Sequence, residues 1–231
     1  MIKGVVFDLD DTLILEYDYI VSGFKVVANR LSKDLKKEES EVFDKLIELF
    51  EESSKLVYNR LLDEYNFKYE NEYIEELIYI YRNHYPSIEL CDEAIYTINM
   101  LKKEGIKLGV ISDGYKEAQR KKIEKINNKY FDSIIITDEL GKEFWKPHEK
   151  PYILSADELD IKFEEMIYVG DNISKDFIKA NELGITTVGI KHEKGIYKEL
   201  KFSNEYLPKY WVQSLKEIIS LIDDINNRRY L

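Results

Sequence analysis

The chain has 231 residues, 44% of them apolar and 13% aromatic, enough to pack one large or two small domains. Lys and Arg number 34 against 45 Asp and Glu, and the net charge of −11 argues against a dedicated binder of nucleic acid or of anionic membranes. The single cysteine, Cys91, excludes an intramolecular disulfide and a cysteine-based zinc site. Val5-Val6-Phe7 reads as a short strand buried on both faces, and Asp8 emerges at its carboxyl end, where open α/β sheets bind ligands. Asp8, Asp10 and Asp11 then place three acids within four positions.

From residue 16 to residue 85 the strong segments are helical. Ile20, Phe24, Val27, Ala28, Leu31 and Leu35 recur at helical spacing, followed by Val42, Phe43, Leu46, Ile47 and Phe50, and then by Tyr73, Ile74, Leu77, Ile78 and Tyr81. Ser40 and Asn71 sit where amino-terminal caps belong, and Pro86 ends the block. Tyr17, Phe24, Tyr58, Tyr79 and Tyr81 read as packing residues, with Tyr17, nearest the acidic burst, the candidate to meet a substrate.

Beyond Pro86 strands and helices alternate: helix 94–103 closed by Gly105, strand 108–111, helix 116–126, strand 134–136, helix 151–158, strand 166–169, helix 175–183 closed by Gly184, and strand 186–190. A further helix is expected near 211–225. This alternation predicts an α/β protein with a doubly wound parallel sheet, a Rossmann-like core. The first strand has no neighbour before the helical block. The simplest organisation is therefore a core of residues 1–15 and 91–231 with an α-helical cap, residues 16–90, inserted after the first strand. The amino terminus runs directly into the first strand, and no apolar stretch approaches the ~20 residues that span a bilayer. A cytoplasmic protein without a membrane partner is the expectation, and the oligomeric state is left open.

In a parallel sheet all carboxyl ends lie on one edge, so residues far apart in sequence converge there. Strand one delivers Asp8 and Asp10; the second delivers Ser112, Asp113 and Gly114; the fourth delivers Gly170, Asp171 and, shortly after, Asp176; Lys146-Pro147 lies between them. A calcium loop is excluded at the first cluster, because Leu13 and Tyr19 stand where Gly and Glu are needed. His84, His148 and His192 are scattered and read as structural or exposed.

Asp8-Leu9-Asp10-Asp11-Thr12-Leu13, then Ser112 after an apolar strand, then Lys146-Pro147, then Gly170-Asp171-Asn172 with Asp176 resemble, in order and spacing, the four motifs of the haloacid dehalogenase-like hydrolase superfamily. The helical insertion resembles the cap of the branch whose lid lies between the first and second motifs. One departure is His148-Glu149, where many relatives carry an acidic residue or Ser and then Pro after Lys-Pro.

The resemblance implies a phosphatase acting through an aspartyl-phosphate. Asp8 is then the nucleophile, since a carboxylate is ionised at neutral pH without an activating base. Asp10 protonates the leaving alcohol and later deprotonates the attacking water. Mg²⁺ is the implied cofactor, held by the Asp8 side chain, the Asp10 backbone carbonyl and Asp171, with Thr12 and Asp176 supporting the site. Ser112 and the backbone at Asp113 and Gly114 donate to phosphoryl oxygens, and Lys146 offsets their charge. Asp10 favours phosphoryl transfer over carbon–halogen cleavage, and a large cap favours a small phosphomonoester, such as a sugar phosphate or nucleoside monophosphate. Two alternatives stand beside this: a phosphonate hydrolase, which needs a cap lysine such as Lys25 or Lys33, and a catalytically idle α/β protein that binds a partner through its aromatic cap.

Overall fold

The computed structural model describes residues 1–190 and 203–228, so His192 lies outside the described residues. The chain forms two compact units: residues 1–16 with residues 89–231, and residues 17–88.

The first unit is built on a sheet of six strands: β1 (Gly4–Phe7), β2 (Lys107–Ser112), β3 (Ser133–Ile136), β4 (Met166–Gly170), β5 (Thr186–Ile190) and β6 (Tyr210–Val212). Their order is β3-β2-β1-β4-β5-β6, and every pairing is parallel. The sheet grows from β1 outward to β3, then restarts on the other side of β1 with β4. The ends of β1 and β4 therefore flank the point where the winding reverses, the crevice in which open α/β sheets hold ligands. Phe7 is level with Val110 of β2 and Val169 of β4, so Asp8 leaves the sheet between two neighbours.

All four β1 residues are buried, as expected of a strand covered on both faces. On one face Val6, Ile111 and Tyr168 pack with Tyr152, Ala156 and Leu159 of α8 (Lys150–Leu159) and with Ala180 of α9 (Ile178–Glu182). On the other side α5 (Asp92–Lys103) lies against β2 and α10 (Glu217–Arg228) against α5. Gly109 lets α8 approach closely, because a Cβ there would sit 3.1 Å from both Ser155 Oγ and a methyl of Val6.

The second unit contains α1 (Glu16–Leu35), whose first residue belongs to the sheet unit, then α2 (Glu39–Glu52), α3 (Val57–Glu64) and α4 (Asn71–Asn83). Its core joins the buried stripe of α1 (Ile20, Phe24, Val27, Leu31) to Leu46, Leu61 and Leu77 from the other three helices. Phe24 stands at the centre of an aromatic group, with the rings of Phe50, Tyr58 and Tyr81 within 6.2 Å. Tyr79, expected to pack, is exposed, on the opposite side of α4 from Leu77. Lys25 lies over the Phe43 ring and Lys33 donates to Asn29. His84 is structural: it is buried and bonded to the Tyr81 carbonyl and to Ser22 Oγ.

Several sequence expectations are corrected. Helix α3 was not anticipated, because two turns with Val57, Leu61 and Leu62 buried give too short a period to register. Ser40 and Asn71 are not caps; they lie inside their helices, whose N-cap positions, Glu38 and Glu70, make no side-chain cap. Acidic first turns supply the favourable helix-dipole interaction instead. Helix α4 stops at Asn83, before Pro86 is reached. Trp211 lies in edge strand β6 rather than in the last helix, which begins at Glu217. Helix α9 begins at Ile178, not residue 175, because the Asp176 carboxylate accepts the Asn172 backbone N–H and stabilises a turn in place of a helix start.

Leu46 is fully buried in the helical core. Leu46→Ala should therefore lower the stability of the helical unit by about 2–5 kcal/mol, measured by chemical denaturation followed by circular dichroism.

Candidate active site at the carboxyl edge of the sheet

Four loops meet beyond the ends of β1, β2 and β4. After β1 the chain turns sharply: Asp11 takes φ +54°, and its carboxylate accepts the Glu16 backbone N–H at 2.9 Å, fixing the start of α1. Asp11 thus shapes the turn, while Asp8 (3% exposed) and Asp10 (side chain 16% exposed) are left to face the site. Thr12 is fully buried in this turn.

Lys146 is the centre of the cluster. Its ammonium is buried and donates to Asp8 Oδ1, to Asp176 Oδ1 at 2.8 Å and to the Tyr168 hydroxyl at 2.9 Å. Burial alone would favour the neutral amine, but Asp176 and Asp8 outweigh it and hold the lysine well above its ordinary value. Asp176 is bonded at both oxygens: Oδ1 also receives the Tyr168 hydroxyl at 3.2 Å and Oδ2 receives the Asn172 N–H at 2.9 Å. Gly170 makes room for it, since a Cβ there would lie 2.4 Å from Asp176 Oδ2.

Carboxylate oxygens of Asp8, Asp171 and Asp176 lie within 4.8 Å of one another. Burial, only partly offset by Lys146, raises Asp8 to about 7, and burial with repulsion from Asp8 and Asp176 raises Asp171 to about 9. No hydrogen bond or ion pair reaches the Asp171 carboxylate from the described residues, whereas both oxygens of Asp176 receive donors. The donor set is all oxygen, two crowded acids stay partly unsatisfied, and such a pair suits a hard divalent cation.

The loop after β2 is organised by Asp113. Its Oδ1 accepts from Thr137 Oγ1 at 2.8 Å and from the Lys146 backbone N–H at 3.1 Å, and Oδ2 pairs with Lys175 at 3.2 Å. Burial would raise its carboxyl, but Lys146 and Lys175 hold it below the ordinary range. Asp113 therefore ties three loops together rather than presenting free oxygens to a ligand. Ser112 is buried and donates to Gln119 Oε1 at 2.9 Å. Gly114 adopts φ +132°, which a side chain would strain.

Asp8, Asp10, Ser112, Asp113, Gly114, Lys146, Asp171 and Asp176 thus converge on one edge of the sheet unit. Tyr17 begins the helical unit and is half-buried. His148 stands apart from the ion-pair cluster, accepting the Lys150 N–H and lying edge-on to Phe144. Sequence reasoning missed five polar side chains here: Glu16, Gln119, Lys122, Tyr168 and Lys175. Glu16, raised to about 7 by burial and the neighbouring Asp10, carries no sequence signal of this role. Lys175, beside Asp176, carries no sequence signal of its role, yet Asp8, Asp113 and Asp176 outweigh the cost of its burial and hold it above its ordinary value. Gln119 and Lys122 did carry a signal, since residues three apart share a helix face. It was hidden among the exposed charges of α6 (Lys116–Lys125).

Comparison with known proteins identifies the family. The sequence pattern of the haloacid dehalogenase-like hydrolases matches residues 5–190. A glyceraldehyde 3-phosphate phosphatase of Methanocaldococcus jannaschii is 31% identical, over 97% of this chain and 99% of its own. A pyrophosphatase, PpaX, of Bacillus mycoides is 29% identical over 97% and 99%. Among solved structures, a phosphatase of the same superfamily from Thermococcus onnurineus superposes with a TM-score of 0.62 at 24% identity, over 96% and 98% of the two chains, a likeness of fold. With the matched pattern running from β1 through β5, the chain belongs to the haloacid dehalogenase-like hydrolases, as a phosphatase of that family.

Proposed function

We propose that the protein is a Mg²⁺-dependent phosphatase of small phosphomonoesters, working through an aspartyl-phosphate on Asp8. The observation that carries this reading is the joint placement of Asp8, Lys146 and the unsatisfied Asp171 at the reversal point of the sheet. Asp8, with one oxygen engaged by Lys146, attacks phosphorus. As the new O–P bond forms, the bond to the leaving oxygen breaks, and that oxygen takes its electron pair and a proton from the Asp10 carboxyl. In the second half Asp10, now a carboxylate, removes a proton from water as the water oxygen attacks the phosphoryl group and releases Asp8.

Lys146 and Ser112 offset the charge on the phosphoryl oxygens, and Asp176 and Tyr168 keep the lysine in place. The Ser112 hydroxyl must turn from Gln119 to reach the substrate. The Asp8 and Asp171 carboxylates and the Asp10 backbone carbonyl would hold the cation. When bound, Mg²⁺ supplies charge neutralisation between the nucleophile and the phosphate. The substrate class draws its support from relatives that act on glyceraldehyde 3-phosphate and on pyrophosphate. Glyceraldehyde 3-phosphate, a three-carbon sugar phosphate, fits a sugar-phosphate substrate. Pyrophosphate, an anhydride, marks the range of leaving groups to test.

A panel of sugar phosphates, nucleoside monophosphates and pyrophosphate, assayed with Mg²⁺ and with a chelator, tests the reading. Turnover should need the metal, and Asp8→Asn should lower it by at least about 10³-fold, roughly 4 kcal/mol of barrier. Retention of full Mg²⁺-dependent turnover in that variant would remove Asp8 from the nucleophile's role.

A second prediction concerns stability. Asp8 and Asp171 bind protons to higher pH in the folded state, about 7 and about 9, than in the unfolded chain, about 3.8. Their raised values mean that metal-free stability is fully present below the unfolded value and is lost as pH rises through 7 and 9. Asp171→Asn should therefore stabilise the metal-free protein at pH 9 by about 1 kcal/mol or more. Mg²⁺ should raise the Tm of the wild type more at pH 8 than at pH 6, and raise that of Asp171→Asn little at either. Thermal unfolding across this pH range checks both.

A further inference from the structure

We propose that Lys122 and Gln119 are positioning residues for Asp10, holding its carboxylate in the orientation from which it exchanges a proton with the leaving group. The proposal rests on the reading of Asp10 as the acid/base. Both oxygens of Asp10 are bound from α6: Lys122 Nζ contacts Oδ1 at 2.7 Å, and Gln119 Nε2 donates to Oδ2 at 3.1 Å. The amide of Gln119 is itself oriented, because its Oε1 accepts the Ser112 hydroxyl at 2.9 Å. Asp10 is thereby linked through one side chain to Ser112, the last residue of β2. Each Asp10 oxygen keeps a second lone-pair site, so the carboxylate plane is fixed while proton exchange remains open to it.

Burial argues that this pair serves chemistry rather than stability. Lys122 is 2% exposed and Gln119 4%, on a helix whose other buried positions are Ala118 and Ile123. A lysine is almost never buried without a partner, and replacing a buried ion pair by apolar groups is often neutral or stabilising. An apolar side chain at 122 would complete the Ala118–Ile123 face at lower cost. The loop also accommodates the pair: a Cβ at Gly114 would lie 2.6 Å from Gln119 Nε2, so glycine leaves the amide in its present place beside Asp10. Glu16 shares this corner, with Asp10 and Lys122 as its main charged neighbours. The lysine's charge therefore opposes the repulsion between these two acids.

The test uses leaving groups of unequal need for a proton. In the full-length protein with Mg²⁺, kcat/KM is measured for p-nitrophenyl phosphate, whose leaving phenolate departs readily unprotonated, and for the best alkyl phosphate of the panel. Lys122→Met should lose at least about 10-fold on the alkyl ester and less than about 3-fold on the aryl ester, with an unchanged or raised Tm. Gln119→Leu should show the same asymmetry, smaller in size, and Lys122→Arg should restore part of the alkyl activity. Equal losses on both esters, or none, in folded Lys122→Met and Gln119→Leu overturn the assignment. Asp10→Asn separates the two levels of the argument. If it shows the asymmetry, the acid/base reading stands and the outcome for Lys122 and Gln119 decides this proposal; if it shows none, both fall together.

Discussion

The arrangement depends on one buried ammonium. Lys146 lies between Asp8 at the end of β1 and Asp176 in the turn after β4, with the Tyr168 hydroxyl as its third partner. Stripping water from a lysine and two carboxylates is expensive, and such a cluster contributes little net stability compared with apolar packing of the same volume. Its effect is positional. The cation fixes one oxygen of Asp8, occupies one of Asp176, and through its own backbone N–H engages Asp113. Removing the lysine would leave Asp8 and Asp176, which it bridges, facing each other and Asp171 without that charge between them.

The sheet makes this convergence possible. With β1 between β2 and β4, the last residue of the central strand is flanked on one side by the Ser112 loop and on the other by the Asp171 loop. The strands supply direction and the turns supply aim. Asp11 bends the chain so that Asp10 leaves the strand axis toward α6, Gly170 lets Asp176 fold back over the end of β4, and Asp113 draws Thr137, Lys146 and Lys175 together. None of these turns is long, which keeps the entropy of ordering the site small.

This division explains what the sequence made legible. Strands covered on both faces advertise themselves as continuous apolar runs, so β1, β2 and β4 were readable, and the acids at their ends with them. Short elements were not: α3 and β6 bury too few residues to establish a period. The start of α9 was misplaced because a side chain, Asp176, overrides the helical tendency of residues 175–177. The supporting polar groups were invisible for a different reason. Gln119, Lys122 and Lys175 are residue types normally found in water, and only the fold turns them inward. Tyr168 reads as one more bulky strand residue until Lys146 is placed against its hydroxyl.

The charge balance of the site follows from the same geometry. A chain of net charge −11 repels phosphate at long range, so attraction has to be created within a few ångströms. Lys146 and Lys175 carry positive charge into the centre, where low dielectric strengthens it, while Lys122 is committed to Asp10 at the flank. Two lysines do not neutralise Asp8, Asp113, Asp171 and Asp176, and the excess negative charge falls on Asp8 and Asp171, whose affinity for protons burial and repulsion from neighbouring carboxylates raise. The surplus is localised where a divalent cation and a phosphate would arrive together. On the proposed reading, this electrostatic strain in the metal-free fold would be the source of affinity for a divalent cation, and a bound cation would in turn make the site attractive to an anion.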